Sequence, residues 1–253
     1  MKTLLALAIA ISLHSNYNAV AVDIVVPHDL ANTEGDQTIF GPFDTGLASA
    51  RLQQVYNASE FSSLLPQGGW IAEIWFRADA SPGGGGHAFS TTLANVQINL
   101  STTARSADGL SLNFADNVGP NDTVVVGSGP LTLDTPYLFA THPQPFLVGI
   151  ALQNRFFYNP AAGNLLLDVR NFSGGSIGPL DAALVTGDSV SRIFALSVGA
   201  NTGIADTIGL VTRFNVFPVP EPSTWALLAL GLAALVFHRR RLKQPKGATR
   251  VTH

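Results

Sequence analysis

The chain has 253 residues, of which 46% are hydrophobic and 12% charged, with a formal net charge of −3 and no cysteine. The lack of cysteine excludes disulfides, thiolate nucleophiles and cysteine-based zinc sites. All seventeen acidic residues lie between Asp23 and Glu221, where only arginines oppose them. Such an acidic region repels phosphate backbones, so nucleic acid is excluded as a partner.

The first residues carry the pattern of an export signal. Met1-Lys2 supplies a positive charge, residues 4–13 (LLALAIAISL) are apolar or small, and Ala19-Val20-Ala21 places small residues before a cleavage point. A short apolar run between such flanks is typical of a secretory signal peptide. We therefore expect residues 1–21 to be a signal peptide, with Ala19 and Ala21 recognised at cleavage.

The following region, residues 22–218, has the pattern of short β-strands. In residues 94–101 (ANVQINLS) apolar and polar side chains alternate at every position, which is the period of a half-buried strand. Turn-forming residues separate eight such windows, and no long amphipathic helix lies between them. This predicts one all-β domain, an antiparallel β-sandwich of the jelly-roll type. The predicted strands cover residues 70–77, 94–101, 110–114, 122–126, 146–152, 165–169, 192–198 and 208–216.

One predicted strand carries the best candidate binding residues of this domain. The alternation puts Glu73, Trp75 and Arg77 on one face, opposite the apolar residues Trp70, Ala72, Ile74 and Phe76. The favoured interpretation is a cross-strand ion pair beside a half-buried tryptophan. The alternative is an exposed platform on which a sugar ring stacks.

Catalytic and metal sites are not predicted. A glycosidase needs two carboxylates about 5–10 Å apart, and the sequence offers no identifiable partner for Glu73. Asp116, Asn117, Asn121 and Asp122 favour a turn over a calcium site, because their spacing is not that of an EF-hand. We therefore expect a protein that is not an enzyme and binds no cofactor.

The C-terminal part combines a short apolar segment with charged flanks. Residues 224–237 (TWALLALGLAALVF) would form a helix of about 21 Å, shorter than the roughly 30 Å hydrocarbon core of a bilayer. Trp225 can lie at one interface, and the following arginines can extend their side chains to the other. The segment is predicted to be a short transmembrane helix. The positive-inside rule then places residues 242–253 in the cytoplasm as a tail.

Three consecutive features of residues 219–241 resemble a known signal. They are the motif Val219, Pro220, Glu221, Pro222 and Ser223, the apolar helix, and the cluster Arg239, Arg240 and Arg241. In this order they resemble the PEP-CTERM sorting signal of Gram-negative bacteria, although the tail after the arginines is longer than is usual. The resemblance implies recognition by an exosortase, a membrane transpeptidase that cuts near the motif.

These observations lead to one hypothesis and two alternatives. We expect an exported protein that is held in the inner membrane as a precursor and then passed to the cell envelope or an exopolysaccharide matrix. There it would act as a non-enzymatic component, with the exopolysaccharide as a possible partner. The alternatives are a secreted hydrolase or glycan-binding module that acts on polysaccharide, and a single-pass protein that stays anchored.

Overall fold

A computed structural model of the chain describes residues 20–39, 41–43, 46, 48–80, 86–140, 142–219, 228–229, 231–236 and 238–239. Val20–Val219 forms one unit, and the rest of the chain, Met1–Ala19 and Pro220–His253, is assigned to a second. Nearly all of the predicted signal peptide and the predicted tail therefore lie outside the described residues. The predicted domain boundaries stay predictions.

Strands make up most of the regular secondary structure of the unit Val20–Val219. Its described residues include one short α-helix, α1 (Ser59–Ser62), and three single-turn 3₁₀ helices (His28–Leu30, Phe114–Asn117 and Pro160–Ala162). Its strands are β1 (Val22–Val26), β2 (Gln37–Ile39), β3 (Ala50–Tyr56), β4 (Gly69–Phe76), β5 (Phe89–Thr103), β6 (Thr123–Thr135), β7 (Val148–Tyr158), β8 (Asn164–Asn171), β9 (Leu180–Leu184), β10 (Val190–Ala195), β11 (Ile204–Asp206), β12 (Ile208–Leu210) and β13 (Thr212–Pro218).

These strands form three sheets in which every paired neighbour is antiparallel. A four-stranded sheet has the order β1-β13-β4-β7, and a six-stranded sheet has the order β11-β10-β3-β8-β5-β6. A small third sheet has the order β12-β9-β2. The prediction of an all-β, antiparallel fold is confirmed.

The two larger sheets share one hydrophobic core. Leu165, Leu167 and Val169, which alternate along β8, lie in the same buried cluster as residues of β1, β4, β7 and β13. The ring of Tyr56 on β3 meets the ring of Phe214 on β13 edge-on, with 4.9 Å between centroids. The Tyr56 hydroxyl also hydrogen-bonds to the Thr212 hydroxyl at 2.9 Å. A fully buried side chain of this kind contributes about 1.5–3 kcal/mol, so these contacts between the sheets stabilise the unit substantially.

The prediction of a strand at residues 110–114 is wrong. These residues belong to a loop that enters the 3₁₀ helix Phe114–Asn117, and the Asn113 side chain accepts a hydrogen bond from the backbone N–H of Ala115. The alternation is real, but Phe114 is buried against Ile193 on the outside of the six-stranded sheet rather than in a strand. A loop residue that packs onto a sheet can show the same local pattern as a strand residue.

The predicted strand at residues 208–216 is divided in two. β12 belongs to the small third sheet, whereas β13 belongs to the four-stranded sheet. At the break, the backbone N–H of Val211 donates to the carbonyl of Asp181 at 3.1 Å. The apolar alternation continues through the break, because residues on both sides face the core, and it therefore gives no sign of a change of sheet.

Candidate functional site

The last strand of the unit leads directly into the candidate sorting segment. β13 lies between β1 and β4, and its residues Phe214 and Val216 are completely buried. One residue past the strand, the backbone N–H of Val219 still donates to the carbonyl of Gly68 at 2.9 Å. The backbone is thus held in the fold up to the first residue of the motif.

Gly68 makes this exit possible. Its φ of +82° is in the left-handed region that favours glycine. A Cβ at this position would lie 2.8 Å from the carbonyl oxygen of Tyr158 and 2.9 Å from the ring of Phe157. A larger residue would therefore disturb both the backbone that holds Val219 and the neighbouring strand β7.

The sorting segment itself is described only in part. Val219 and Arg239 lie within the described residues, whereas Pro220, Glu221, Pro222, Ser223, Arg240 and Arg241 lie outside them. Residues 228–229, 231–236 and 238–239 are helical, and all ten are exposed. Leu232, Leu235 and Val236 show 42%, 60% and 47% of their surface. An apolar helix face that the protein does not cover is typical of a segment whose partner is not water.

Among the described residues, no helix combines the length and the hydropathy that a bilayer span requires.

The three residues predicted as a possible glycan contact are not brought together on one exposed face. Glu73 and Trp75 are half-buried on the outer face of the four-stranded sheet, where the Trp75 Nε1–H donates to Glu73 Oε2 at 2.8 Å. The prediction of Arg77 as a contact residue is wrong, because its side chain is completely buried. Its Nε–H donates to Asp181 Oδ2 at 2.6 Å. β4 ends at Phe76, so the strand alternation does not extend to Arg77.

Trp70 takes the outward position that the sequence did not predict. The register of β4 shifts between Ile71 and Glu73 relative to β7, as at a β-bulge. Ile71 consequently points into the core with no exposed surface, while Trp70 is 45% exposed. The alternation before the bulge is therefore one residue out of phase with the alternation after it.

Trp70 is the centre of an aromatic row across three strands. It lies directly opposite Phe217 of β13 on one side and Phe157 of β7 on the other. The Trp70 and Phe157 ring centroids are 5.2 Å apart, and the Arg155 guanidinium lies 4.6 Å from the Phe217 ring centroid. The sequence contained one signal for this row: Phe156 and Phe157 are adjacent in a strand, so one of them has to face outward.

A buried group of carboxylates was also missed by the sequence analysis. Carboxylate oxygens of Glu34, Asp79 and Asp181 lie within 4.8 Å of one another, and Asp79 and Asp181 are buried. Burial raises the pKa of Asp181 to about 6, although the charge and the hydrogen bond of Arg77 act in the opposite direction. Three carboxylates are donors that a divalent cation can use, but Arg77 already places a positive charge among them. The available signal was Asp181 itself, an acid in the apolar stretch LDAAL.

The four residues considered for calcium are hydrogen-bonded within their loop or to strands of the six-stranded sheet. Asn117 donates to Gln53 Oε1 at 3.1 Å, Asn121 donates to the Thr102 hydroxyl at 3.0 Å, and Asp122 accepts from Asn99 at 3.0 Å. Asp116 accepts from the Ser111 hydroxyl at 2.9 Å. These bonds hold the loop on the six-stranded sheet.

Comparison with known proteins concerns only the C-terminal segment. The family model of the PEP-CTERM protein-sorting motif matches residues 218–241. No curated protein and no solved structure matches the chain. The matched range begins at the last residue of β13 and includes both the Pro-Glu-Pro motif and the three arginines. The chain thus carries a PEP-CTERM sorting motif, the signal of an exported protein that an exosortase processes at the membrane.

Proposed function

We propose that this chain is the precursor of a non-enzymatic component of the cell envelope or exopolysaccharide matrix. Residues 1–21 direct export, residues 224–237 hold the precursor in the inner membrane, and an exosortase cuts near residues 219–223. The domain of residues 22–218 is then delivered to the outside of the cell. The observation that carries this proposal is the sorting motif at residues 218–241, which starts where the folded unit ends.

Two further observations support the membrane step. The apolar residues Leu228, Leu232, Leu235 and Val236 are exposed on the helix, so the protein leaves them available to lipid. The arginines that follow the helix favour the cytoplasmic side, while the acidic domain precedes it. Together they favour a precursor with the domain outside and residues 242–253 inside.

We also propose that the domain is a jelly roll. Its support is the strand order: without β2 and the insertion β9–β12, eight strands remain, β1, β3–β8 and β13. If these eight strands are numbered 1 to 8 in chain order, their order is 1-8-3-6 in the four-stranded sheet and 2-7-4-5 in the six-stranded sheet. This is the order of two interlocked Greek keys.

The non-enzymatic role is supported by how the carboxylates are used. In the group of Glu34, Asp79 and Asp181, Asp79 and Asp181 are buried, and Asp181 is paired with the buried side chain of Arg77. A pair of glycosidase carboxylates would instead flank an open cleft that admits a sugar.

Mass spectrometry of the protein recovered from the cell surface tests the proposal. The surface form is expected to lack the peptide LALGLAALVF (residues 228–237), because processing removes the anchor. Replacing Glu221 by alanine is expected to retain the full chain in the membrane fraction, whereas Asp29→Ala, at an exposed acid of the domain, leaves processing unchanged. A surface form that still contains the peptide would show permanent anchoring instead.

A further inference from the structure

We propose that the aromatic row, Phe217, Trp70 and Phe157, rests on the phospholipid surface of the leaflet from which the precursor's anchor emerges. This inference depends on the proposed membrane anchoring and adds to it a second contact with the same membrane. That contact would orient the domain, and with it the motif, before processing.

The row lies at the end of the sheet from which the chain leaves the fold. Phe217 is the penultimate residue of β13, and the backbone N–H of Val219 donates to the carbonyl of Gly68, two residues before Trp70. Trp70 and Phe157 are 45% and 39% exposed, although both are large and apolar. The structure therefore leaves apolar surface uncovered beside the exit.

The length of the connecting chain keeps this surface close to the membrane. Phe217 and Thr224, where the apolar segment begins, are seven residues apart. At no more than about 3.6 Å per residue, the connection spans at most about 25 Å. Such a short tether gives the row a high effective concentration at the bilayer surface, so even a weak intrinsic affinity for lipid produces contact.

The chemistry changes along the sheet in the direction expected for an interface. Two residues before Phe217, at a distance of about 7 Å along β13, Asn215 lies directly opposite Glu73 on the outer face. The three residues of the aromatic row are thus nearer the exit than Asn215 and Glu73 are. Aromatic side chains, and tryptophan above all, are enriched at the level of the lipid headgroups.

Charge determines which lipid the row would meet. The Arg155 guanidinium over the Phe217 ring can pair with a lipid phosphate. The domain as a whole is acidic, so it would be repelled by a strongly anionic surface. A zwitterionic phospholipid offers a phosphate to Arg155 and has no net negative charge that would repel the domain.

Fluorescence of the full chain in phosphatidylcholine vesicles tests this contact, since the protein has three tryptophans. The variant W75F/W225F leaves Trp70 as the only tryptophan, and W70F/W225F leaves Trp75, which is half-buried farther from the exit. Lipids brominated near the glycerol end of their acyl chains should quench Trp70 by about half and Trp75 by less than about a tenth, because quenching requires contact at interfacial depth.

Flotation of the same vesicles separates this inference from the proposed anchoring. A chain that floats with lipid while Trp70 is not quenched would overturn the contact and leave the anchor in place. A chain that does not float would overturn both. If a neutral polysaccharide, and not lipid, shields Trp70 of the floated chain from acrylamide, the row binds glycan and the inference is wrong.

Discussion

The outer faces of the two large sheets differ in how far they are exposed. A loop, residues 104–122, covers the outer face of the six-stranded sheet, and polar side chains are buried under it. We call the outer face of the four-stranded sheet the uncovered face, because Trp70 and Phe157 on it are 45% and 39% exposed. Both sheets bury their apolar inner faces, so the core does not explain this difference.

The covered face contains a row of buried residues that continues across four strands. Ile193, Gln53, Asp168 and Asn99 lie opposite one another on β10, β3, β8 and β5, and each is at most 4% exposed. Asp168 accepts hydrogen bonds from Arg51, Gln53 and Arg170. The loop completes this network, since Gln53 donates to the carbonyl of Phe114 and accepts from Asn117.

The comparison distinguishes side chains that stabilise the fold from side chains that a partner can reach. Polar groups under the loop are hydrogen-bonded to one another, so they contribute to stability and are closed to partners. Large apolar groups on the uncovered face contribute little to the core, so they are open to partners. The functional surface of the domain is therefore expected on the four-stranded sheet, where the chain also leaves the fold.

Removing one carboxylate from each face should give the largest contrast. Asp168→Ala leaves the nearly buried charge of Arg51 without its partner, and we expect a loss of about 3–5 kcal/mol in the free energy of unfolding. Asp23, whose side chain is 50% exposed, pairs with Arg213 on the uncovered face at 3.6 Å. Asp23→Ala should cost less than about 1 kcal/mol. Urea unfolding of both variants measures the difference, and equal losses would contradict the comparison.

The turn before β10, in which the Gly187 N–H donates to Asp108 of the covering loop, should give the domain a pH dependence. Burial is the largest cause that raises the pKa of Asp188 to about 6. The negative charge of Asp108 in the covering loop raises this pKa further. Since this folded-state pKa lies above the usual value, the folded state takes up the proton first. Stability from this group is then present at low pH and is lost as the pH rises from about 4 to 6.

Unfolding in urea at several pH values between 4 and 7 measures this effect. Asp188→Asn should make the free energy of unfolding less dependent on pH in that window. Asp29→Asn, whose carboxylate is 85% exposed, serves as the matched control. A pH profile that Asp188→Asn leaves unchanged would show that this carboxyl does not take up a proton near pH 6.

The smallest effect on stability is expected from the aromatic row. Trp70→Ser removes an exposed ring, and the free energy of unfolding should change by no more than about 1 kcal/mol. Phe114→Ala, which removes a fully buried ring under the loop, should cost about 3 kcal/mol or more. A comparable loss in both variants would mean that the row belongs to the core and is not an open surface.

The sequence predicted the strands well where apolar side chains recur at every second position, even where the opposite face is also buried. Residues 165–169 are such a case, since Leu165, Leu167 and Val169 lie in the core as expected. At Trp70 the prediction failed, because a bulge changes the phase of the alternation, and the bulge is visible only in the pairing of β4 with β13 and β7. At residues 110–114 it failed because Leu110 and Phe114 pack from a loop onto the outside of the six-stranded sheet, while Leu112 is 57% exposed.

The parts of the candidate site also differ in whether the sequence alone could predict them. The C-terminal signal is a local pattern of motif, apolar run and arginines, so it could be recognised from residues 219–241 alone. The aromatic row joins residues 70, 157 and 217, and the buried acids join residues 34, 79 and 181, which only folding brings together. Spacing in the sequence contains no information on such distant pairs.

The position of β13 has a consequence for the order of events during export. It is the last strand to be synthesised, yet β1 and β4 are both paired to it, and residue 22 meets residue 216 across almost the entire domain. The four-stranded sheet therefore cannot be completed until residue 218 has crossed, and contacts of such long separation form slowly. In the proposed precursor, the apolar segment a few residues behind has by then reached the bilayer. The proposed anchoring thus makes completion of the domain coincide with arrival of its cleavage signal.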